Sequence, residues 1–543
     1  MLRPLVDRAA VPLSPEATAL IAASARQARR AERLRLGVLA GFAVIALTAA
    51  LLGLRARQAE NVAALRLAEA EDLTDYMLGD LTEKLRPLGR LDVLDGVAQK
   101  ALGYLTAEDA GRVPGTARLR QAKALVTLAD VDRSRGNVEA ALAALTRAQA
   151  LLQANLAAGP PDRELLKTSG GVAFWFGQIA RDQGRIEEAE RHFTQYRGFA
   201  ERMTALDPND TDAWVELSYA LSSLGALAAR QGEEDAAAGD FEQSIALKRH
   251  ALERRPEDRS LTAELANSLS WLATAEAQRG HLESAAALYH QQRDTLEGLR
   301  RADPNAPVWS FRLALANKLN AALLAALGRT EEALADLEQA DAQIVDSLSH
   351  EPENRVWQSE RINIGLETAR MKLALGRPAE VVSATAAALS DIERALRADP
   401  ATEMVQMALA QAHLLRAAAL LRQGDFAGAR EDAGQSENLA RSFADREKNA
   451  KFKTVLLSNA LLLRAEIDRH SGAEDAARGR CREAAETLRG VAQTSNDYRV
   501  LDPWIRAALC CGERQYATSS IDALMRMGYR DIYYLQFLTM QKE

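Results

Sequence analysis

From about residue 112 onward, apolar and small side chains recur every three to four positions, and charged residues fill the positions between them. The stretch RIEEAERHFTQYRGFAERMTALDP (185–208) shows the pattern, with Ile186, Ala189, Phe193, Tyr196 and Ala200 on one face of a helix. Two series of helix breakers punctuate it. Gly136, Gly184, Gly232, Gly280, Gly328, Gly376, Gly424 and Gly472 lie 48 residues apart, and Pro160, Pro208, Pro256, Pro304, Pro352 and Pro400 share that period. Glycine suits the left-handed residue that follows a helix, and proline cannot continue one. Each unit therefore predicts a helix, a Gly turn, a second helix and a Pro loop. A lone pair cannot bury its apolar face, so the units must stack. The expected fold class is all-α, a solenoid of antiparallel helix pairs over residues 112–496. Residues 497–543 read as a last irregular unit and C-terminal cap: the step shortens to 40 at Gly512, and IDALMRMGYRDIYYLQFL (521–538) is more aromatic.

The N-terminal part has a different pattern. Leu36–Leu54 holds 19 residues without a charge, and both faces of the helix it would form are apolar. At ~1.5 Å per residue such a helix spans about 28 Å, close to the hydrocarbon thickness of a bilayer. Arg26, Arg29, Arg30, Arg33 and Arg35 precede it, whereas only Arg55 and Arg57 follow closely. The positive-inside rule then places a basic segment, 1–35, in the cytoplasm and everything after the single span, 36–54, across the membrane. Ser14 followed by Pro15 predicts a capped helix start in the basic segment. Residues 55–111 predict a long amphipathic helix running to Pro87, then a partner helix at 91–105, together an N-terminal cap on the array. The 58–86 stretch also suits parallel pairing of two copies of the chain.

Composition narrows the function. Residues 1–57 carry nine Arg and three acidic residues, a surplus of six, which leaves −13 for the remainder of a chain of net charge −7. A body this acidic is a poor partner for nucleic acid, which needs clustered Lys and Arg. The three cysteines, Cys481, Cys510 and Cys511, form no C-x-x-C metal or redox spacing. They read as small buried hydrophobes, or as one bridge from Cys481 to Cys510 or Cys511, which needs an oxidising compartment.

The small residue seven before the turn glycine, the Ala five after it and the ring four further on resemble the tetratricopeptide repeat (TPR). Gly177, Gly184, Ala189 and Phe193 carry the resemblance, as do Gly225, Gly232, Ala237 and Phe241; Ala273, Gly280, Ala285 and Tyr289; and Ala321, Gly328, Ala333 and Leu337. The loops DPNAPVW (303–309) and EPENRVW (351–357) are similar to those of long bacterial TPR arrays. The excess of 14 residues over the usual 34-residue TPR is about four helical turns, two per helix. Further on the pattern loosens, with Val381 for the Ala and Ala433 and Cys481 for the ring. The 1–33 stretch resembles the linker that ends the effector part of larger membrane-bound bacterial signalling proteins.

Candidate chemistry is sparse. The seven histidines are scattered, and neither an H-E-x-x-H motif, a Gly-rich phosphate loop nor a G-x-S-x-G elbow occurs. Neither a catalytic constellation nor a cofactor or metal site is expected. Binding remains. The TPR resemblance implies that the first helix of each pair lines a concave surface, with ligand-facing positions thirteen, ten and six residues before the turn glycine. On this chain the candidate partner-binding residues are Lys123, Tyr219, Asn267, Asn363 and Asn459; Phe174, Ser222, Ser270 and Lys318; and Gln178, Thr274 and Arg370. The three Asn at one phase could hydrogen-bond an extended peptide backbone. The best-formed groove is expected between Gly136 and Gly376. The expected function is a non-enzymatic scaffold of the bacterial inner membrane, its array in the periplasm, binding a protein or peptide partner. The alternative is a sensor subunit whose cytoplasmic effector is encoded separately or upstream.

Overall fold

The computed structural model describes residues 14–76, 96, 99–100, 115–398, 402–446, 451–493 and 495–540. The chain divides into two compact units, 1–151 and 152–543, and each is described by itself.

In the first unit α1 (Pro15–Tyr76) is one continuous helix of 62 residues. Ser14 Oγ accepts the Ala17 N–H at 3.3 Å, and Pro15 opens the first turn, as the sequence predicts. Phe42, Ile45, Leu47, Leu51, Leu52 and Leu54 all stand exposed on it. The expected continuation of this helix beyond Tyr76 to Pro87, and the partner at 91–105, fall largely outside the described residues. The pair α2 (Gly115–Ser134) and α3 (Val138–Ala158) follows, joined through Gly136.

The second unit is a run of antiparallel pairs. They are α4 (Arg163–Asp182) with α5 (Ile186–Leu206), α6 (Thr211–Gln231) with α7 (Glu234–Arg254), α8 (Arg259–Gln278) with α9 (Leu282–Ala302), and α10 (Pro307–Ala326) with α11 (Thr330–His350). Next come α12 (Arg355–Ala374) with α13 (Pro378–Ala398), α14 (Glu403–Arg422) with α15 (Phe426–Arg446), and α16 (Lys451–His470) with α17 (Glu474–Ala492). A shorter pair, α18 (Tyr498–Cys510) and α19 (Arg514–Arg526), is followed by α20 (Ile532–Met540). No strand occurs among the described residues. Helix α14 is long and apolar enough to pass for a membrane span. It is a core helix here, with Ala408, Ala412, Ala417 and Ala419 buried against its neighbours.

The turns explain the glycine series. Each turn glycine has φ between +72° and +87°, and no other residue type has positive φ among the described residues. The residue after the glycine donates back to the carbonyl five before it, as in Arg185 N to Ala180 O and Glu233 N to Ala228 O. This Schellman closure satisfies carbonyls that the helix end would leave bare. The other loop is tied by a device the breaker pattern did not reveal. Asp162, Asp210, Asp258 and Asn354 lie at one phase of the repeat, and each caps the first helix of its pair through a side-chain oxygen.

Packing follows the small–Ala–ring register. Ala189, Ala237, Ala285 and Ala333 are fully buried, and so are Val381, Ala429 and Ala477 in the looser units. Phe193 and Phe241, also fully buried, fill the space left by Gly177 and Gly225. A Cβ on Gly177 would lie 2.5 Å from Phe193 Cε1, so nothing larger than glycine fits. Gly177→Ala should therefore cost about 1–3 kcal/mol by overpacking. Gly184→Ala, with open space around it but φ of +73°, should cost about 1 kcal/mol through backbone strain. In a Phe193→Leu background, thermal denaturation should show the first penalty shrinking and the second unchanged.

Candidate functional site

Within the second unit the first helices share an inner surface, and toward its C-terminal end that surface holds a half-open cavity of about 630 Å³. Residues of α10, α12, α14, α16 and α18 line it. The position six before the turn glycine recurs in the lining as Ala322, Arg370, Ala418 and Glu466, and the position ten before it as Leu414 and Leu462. Those two phases of the TPR resemblance are therefore inward-facing here. The chain's own end closes the cavity: Tyr529, Asp531, Tyr533 and Phe537 complete its wall. A wider cleft of about 1190 Å³ lies over α12 between α11 and α13, lined by Glu338, Asp341, Arg361 and Arg394 among others.

The cavity combines apolar walls with paired charges. Asp531 lies 3.7 Å from Arg370, which also binds Glu367 at 2.8 Å. Burial and the nearby Asp502 carboxylate push the Asp531 carboxyl above its ordinary range. Tyr529 donates to Asp502 at 2.8 Å, Arg506 binds the same carboxylate at 2.7 Å, and Arg506 also donates to Asn459 Oδ1 at 2.9 Å. The Arg422 guanidinium sits 5.2 Å above the Tyr533 ring. At the rim a disulfide joins Cys481 to Cys510, whose Cα atoms are 5.6 Å apart, and Cys511 stays free. This selects one of the pairings the sequence leaves open.

Of the twelve residues singled out from the sequence, Arg370 and Asn459 line this cavity. The others are spread along the chain. Lys123 is half-buried on α2, in the first unit. Phe174 joins a ring cluster with Trp175, Phe193 and Tyr196, and Gln178 is half-buried one turn on. Asn267 donates to Glu264 at 3.3 Å, while Thr274 meets the Tyr289 hydroxyl at 3.0 Å and takes the Ser270 carbonyl as acceptor. Lys318 pairs with Glu360 across adjacent first helices, and Asn363 is half-buried. The three Asn thus do not form one continuous stripe on the cavity. The cavity overlaps the end of the stretch between Gly136 and Gly376, through Ala322, Ala326, Glu367, Arg370 and Leu373, and continues beyond it to α18.

Tyr219 and Ser222 surround a residue that sequence reasoning missed. Lys248 is completely buried without a carboxylate in hydrogen-bond contact. Its three N–H bonds go to Ser222 Oγ at 3.0 Å, Ser244 Oγ at 2.7 Å and Ser268 Oγ at 2.9 Å, with the Tyr219 ring 5.3 Å away. The recurrence of Ser at 222, 244 and 268 around one Lys was the available signal, but it spans three helices. Serine beside a depressed lysine is a nucleophile–base composition, yet Lys248 and Ser244 have no exposed surface for a substrate to reach. Among the described residues no group of His, Cys, Asp and Glu could hold a metal ion.

No family model and no curated protein matches the chain. Solved structures do. The apo form of RapI aligns with 78% of this chain and 99% of its own, at 10% identity and a TM-score of 0.51. That likeness shows the fold, a TPR-like helical repeat. The apo form of the quorum sensor NprR from B. thuringiensis covers 77% of this chain and 99% of its own, at 14% identity and a TM-score of 0.48. The Rap conjugation gene regulator of plasmid pLS20, in complex with the Phr* peptide, covers 66% and 97%, at 12% identity and 0.36.

Burial pushes the Lys248 ammonium down to about 8, with Glu264 offsetting part of the effect. Because the folded chain releases this proton before the unfolded chain does, stability should rise with pH between about 8 and 10.4. The gain is on the order of 3 kcal/mol, since each tenfold loss of proton affinity on folding corresponds to about 1.4 kcal/mol. Thermal melts at pH 7 and pH 10 should show wild type gaining relative to Lys248→Met; a pH-independent difference between the two would refute the assignment.

Proposed function

We propose that this protein is a non-enzymatic, membrane-anchored TPR-like scaffold that binds a protein or peptide partner on the inner surface of its array. The observation carrying this reading is the half-open cavity of about 630 Å³. First helices of five successive pairs converge on it with leucines, arginines and tyrosines, a mixture suited to anchoring a peptide by a few side chains. The walls that the first helices supply are preformed, which keeps the ordering cost of binding low.

The exposed apolar side chains of α1 between Phe42 and Leu54 support a single membrane span, flanked by arginines on its N-terminal side. In this reading residues 1–35 lie in the cytoplasm of a bacterium and the array lies in the periplasm. The Cys481–Cys510 disulfide supports an oxidising compartment for the array. Continuity of α1 through the apolar stretch, from Pro15 to Tyr76, favours a second reading. A rigid rod of this kind suits a receptor subunit that passes the state of the array to a separately supplied cytoplasmic effector.

Two measurements test this. A reporter active only outside the cytoplasm, fused after Glu543, should be active; activity of a cytoplasmic reporter at the same place would reject the topology. Affinity purification of the full chain from its native membrane should recover a partner that Ala418→Trp, which fills the cavity, releases at least tenfold more readily. Retention of the partner by a folded Ala418→Trp chain would remove the cavity from the binding site.

A further inference from the structure

The segment Met527–Phe537 crosses the inner face of the array in step with the repeats. Met527 lies against Gly280, where an added Cβ would stand 2.6 Å from its Cγ. Three residues on, the Arg530 N–H donates to Ala326 O at 2.8 Å, and the Arg530 carbonyl lies so close to Gly328 that a Cβ there would be 2.9 Å away. Ala326 is the one carbonyl of its helix end that the Gly328 turn leaves over: those of Leu323, Leu324 and Ala325 are taken by Leu327, Arg329 and Gly328. Three residues further, Tyr533 packs on Ala369, Leu373, Val381 and Ala419 beneath Arg422. These three contacts fall on successive repeats, made through the turn at Gly528 and the first turn of α20.

We propose that this segment holds the partner's place. The partner is a peptide segment carrying a carboxylate and, two residues later, an aromatic ring, and it binds by displacing Met527–Phe537 from the cavity. The pattern is that of Asp531 and Tyr533: the carboxylate meets Arg370 and the ring meets Arg422. The inference rests on the peptide-binding reading above and adds the chemistry of the ligand and the regulation of the site. Tethered to the array, the segment acts at an effective concentration on the order of millimolar, so only a peptide that binds tightly can replace it.

The test uses the full chain and a fluorescent synthetic peptide with the sequence of residues 527–540, read by anisotropy. A chain carrying Asp531→Asn and Tyr533→Ala should bind the peptide at least tenfold more tightly than wild type does. A peptide with the same two changes should not bind. Equal affinity for both chains, or indifference to the peptide's Asp and Tyr, overturns the proposal. Arg370→Glu supplies a second variant: it should prefer a peptide with Lys in the place of Asp531, and a preference for the unchanged peptide overturns the proposal independently. Failure of these arms while Ala418→Trp still abolishes capture of the native partner would sink this inference and leave the peptide-binding reading standing. Loss of the cavity's role in capture would sink that reading instead.

Discussion

The array depends on how closely two helices of one pair can approach. That distance is set where a residue without a bulky side chain faces a ring, as Gly177 faces Phe193 and Gly225 faces Phe241. Close-packed interiors tolerate neither a missing nor an added methyl group at such a point. Once the approach is set, the rest of the pair follows. The buried Ala five residues after the turn lies flat against the partner helix, and the Schellman glycine reverses the chain over three residues. The next pair then covers the apolar face left over. Each layer rests on its neighbours, so the same contact must recur at each step.

Where the ring is lost, the register survives by other means. Thr385, Ala433 and Cys481 stand in the ring position of the last three full units, and all three are completely buried. Thr385 bonds the Val381 carbonyl one turn back at 2.7 Å, and Cys481 is tied to Cys510. The smaller residues fill less of the interior, and it is in this part of the array that the cavity opens. The chain compensates by folding its end back: Trp504, Tyr529 and Tyr534 join one core with Ala273, Tyr289 and Leu323, residues more than 170 positions earlier.

Polar residues inside the array show why side-chain type alone does not mark a binding surface. Ser222 and Tyr219 occupy positions that face ligand in the TPR pattern, yet here they serve Lys248, whose three donors need three acceptors once buried. Lys318 and Asn267 likewise find partners on their own array. Arg370 differs in that, beside Glu367 on its own helix, it also meets Asp531 from the C-terminal segment, and Asn459 accepts from Arg506 of α18.

The sequence by itself determined the helix pairs, their turns and the phase of their buried faces. These are local matters: glycine alone accepts the left-handed turn, proline ends a helix, and a 3.6-residue period selects one face. It also marked the phase six residues before the glycine, four of whose members, Ala322, Arg370, Ala418 and Glu466, reach the cavity. Tertiary structure decided where along the array an enclosed site forms and which polar residues are left to face it. Those outcomes depend on contacts between residues far apart in the chain, such as Met527 with Gly280 and Arg530 with Gly328. Small rotations at each helix contact add up over several repeats, and no spacing within one repeat records their sum.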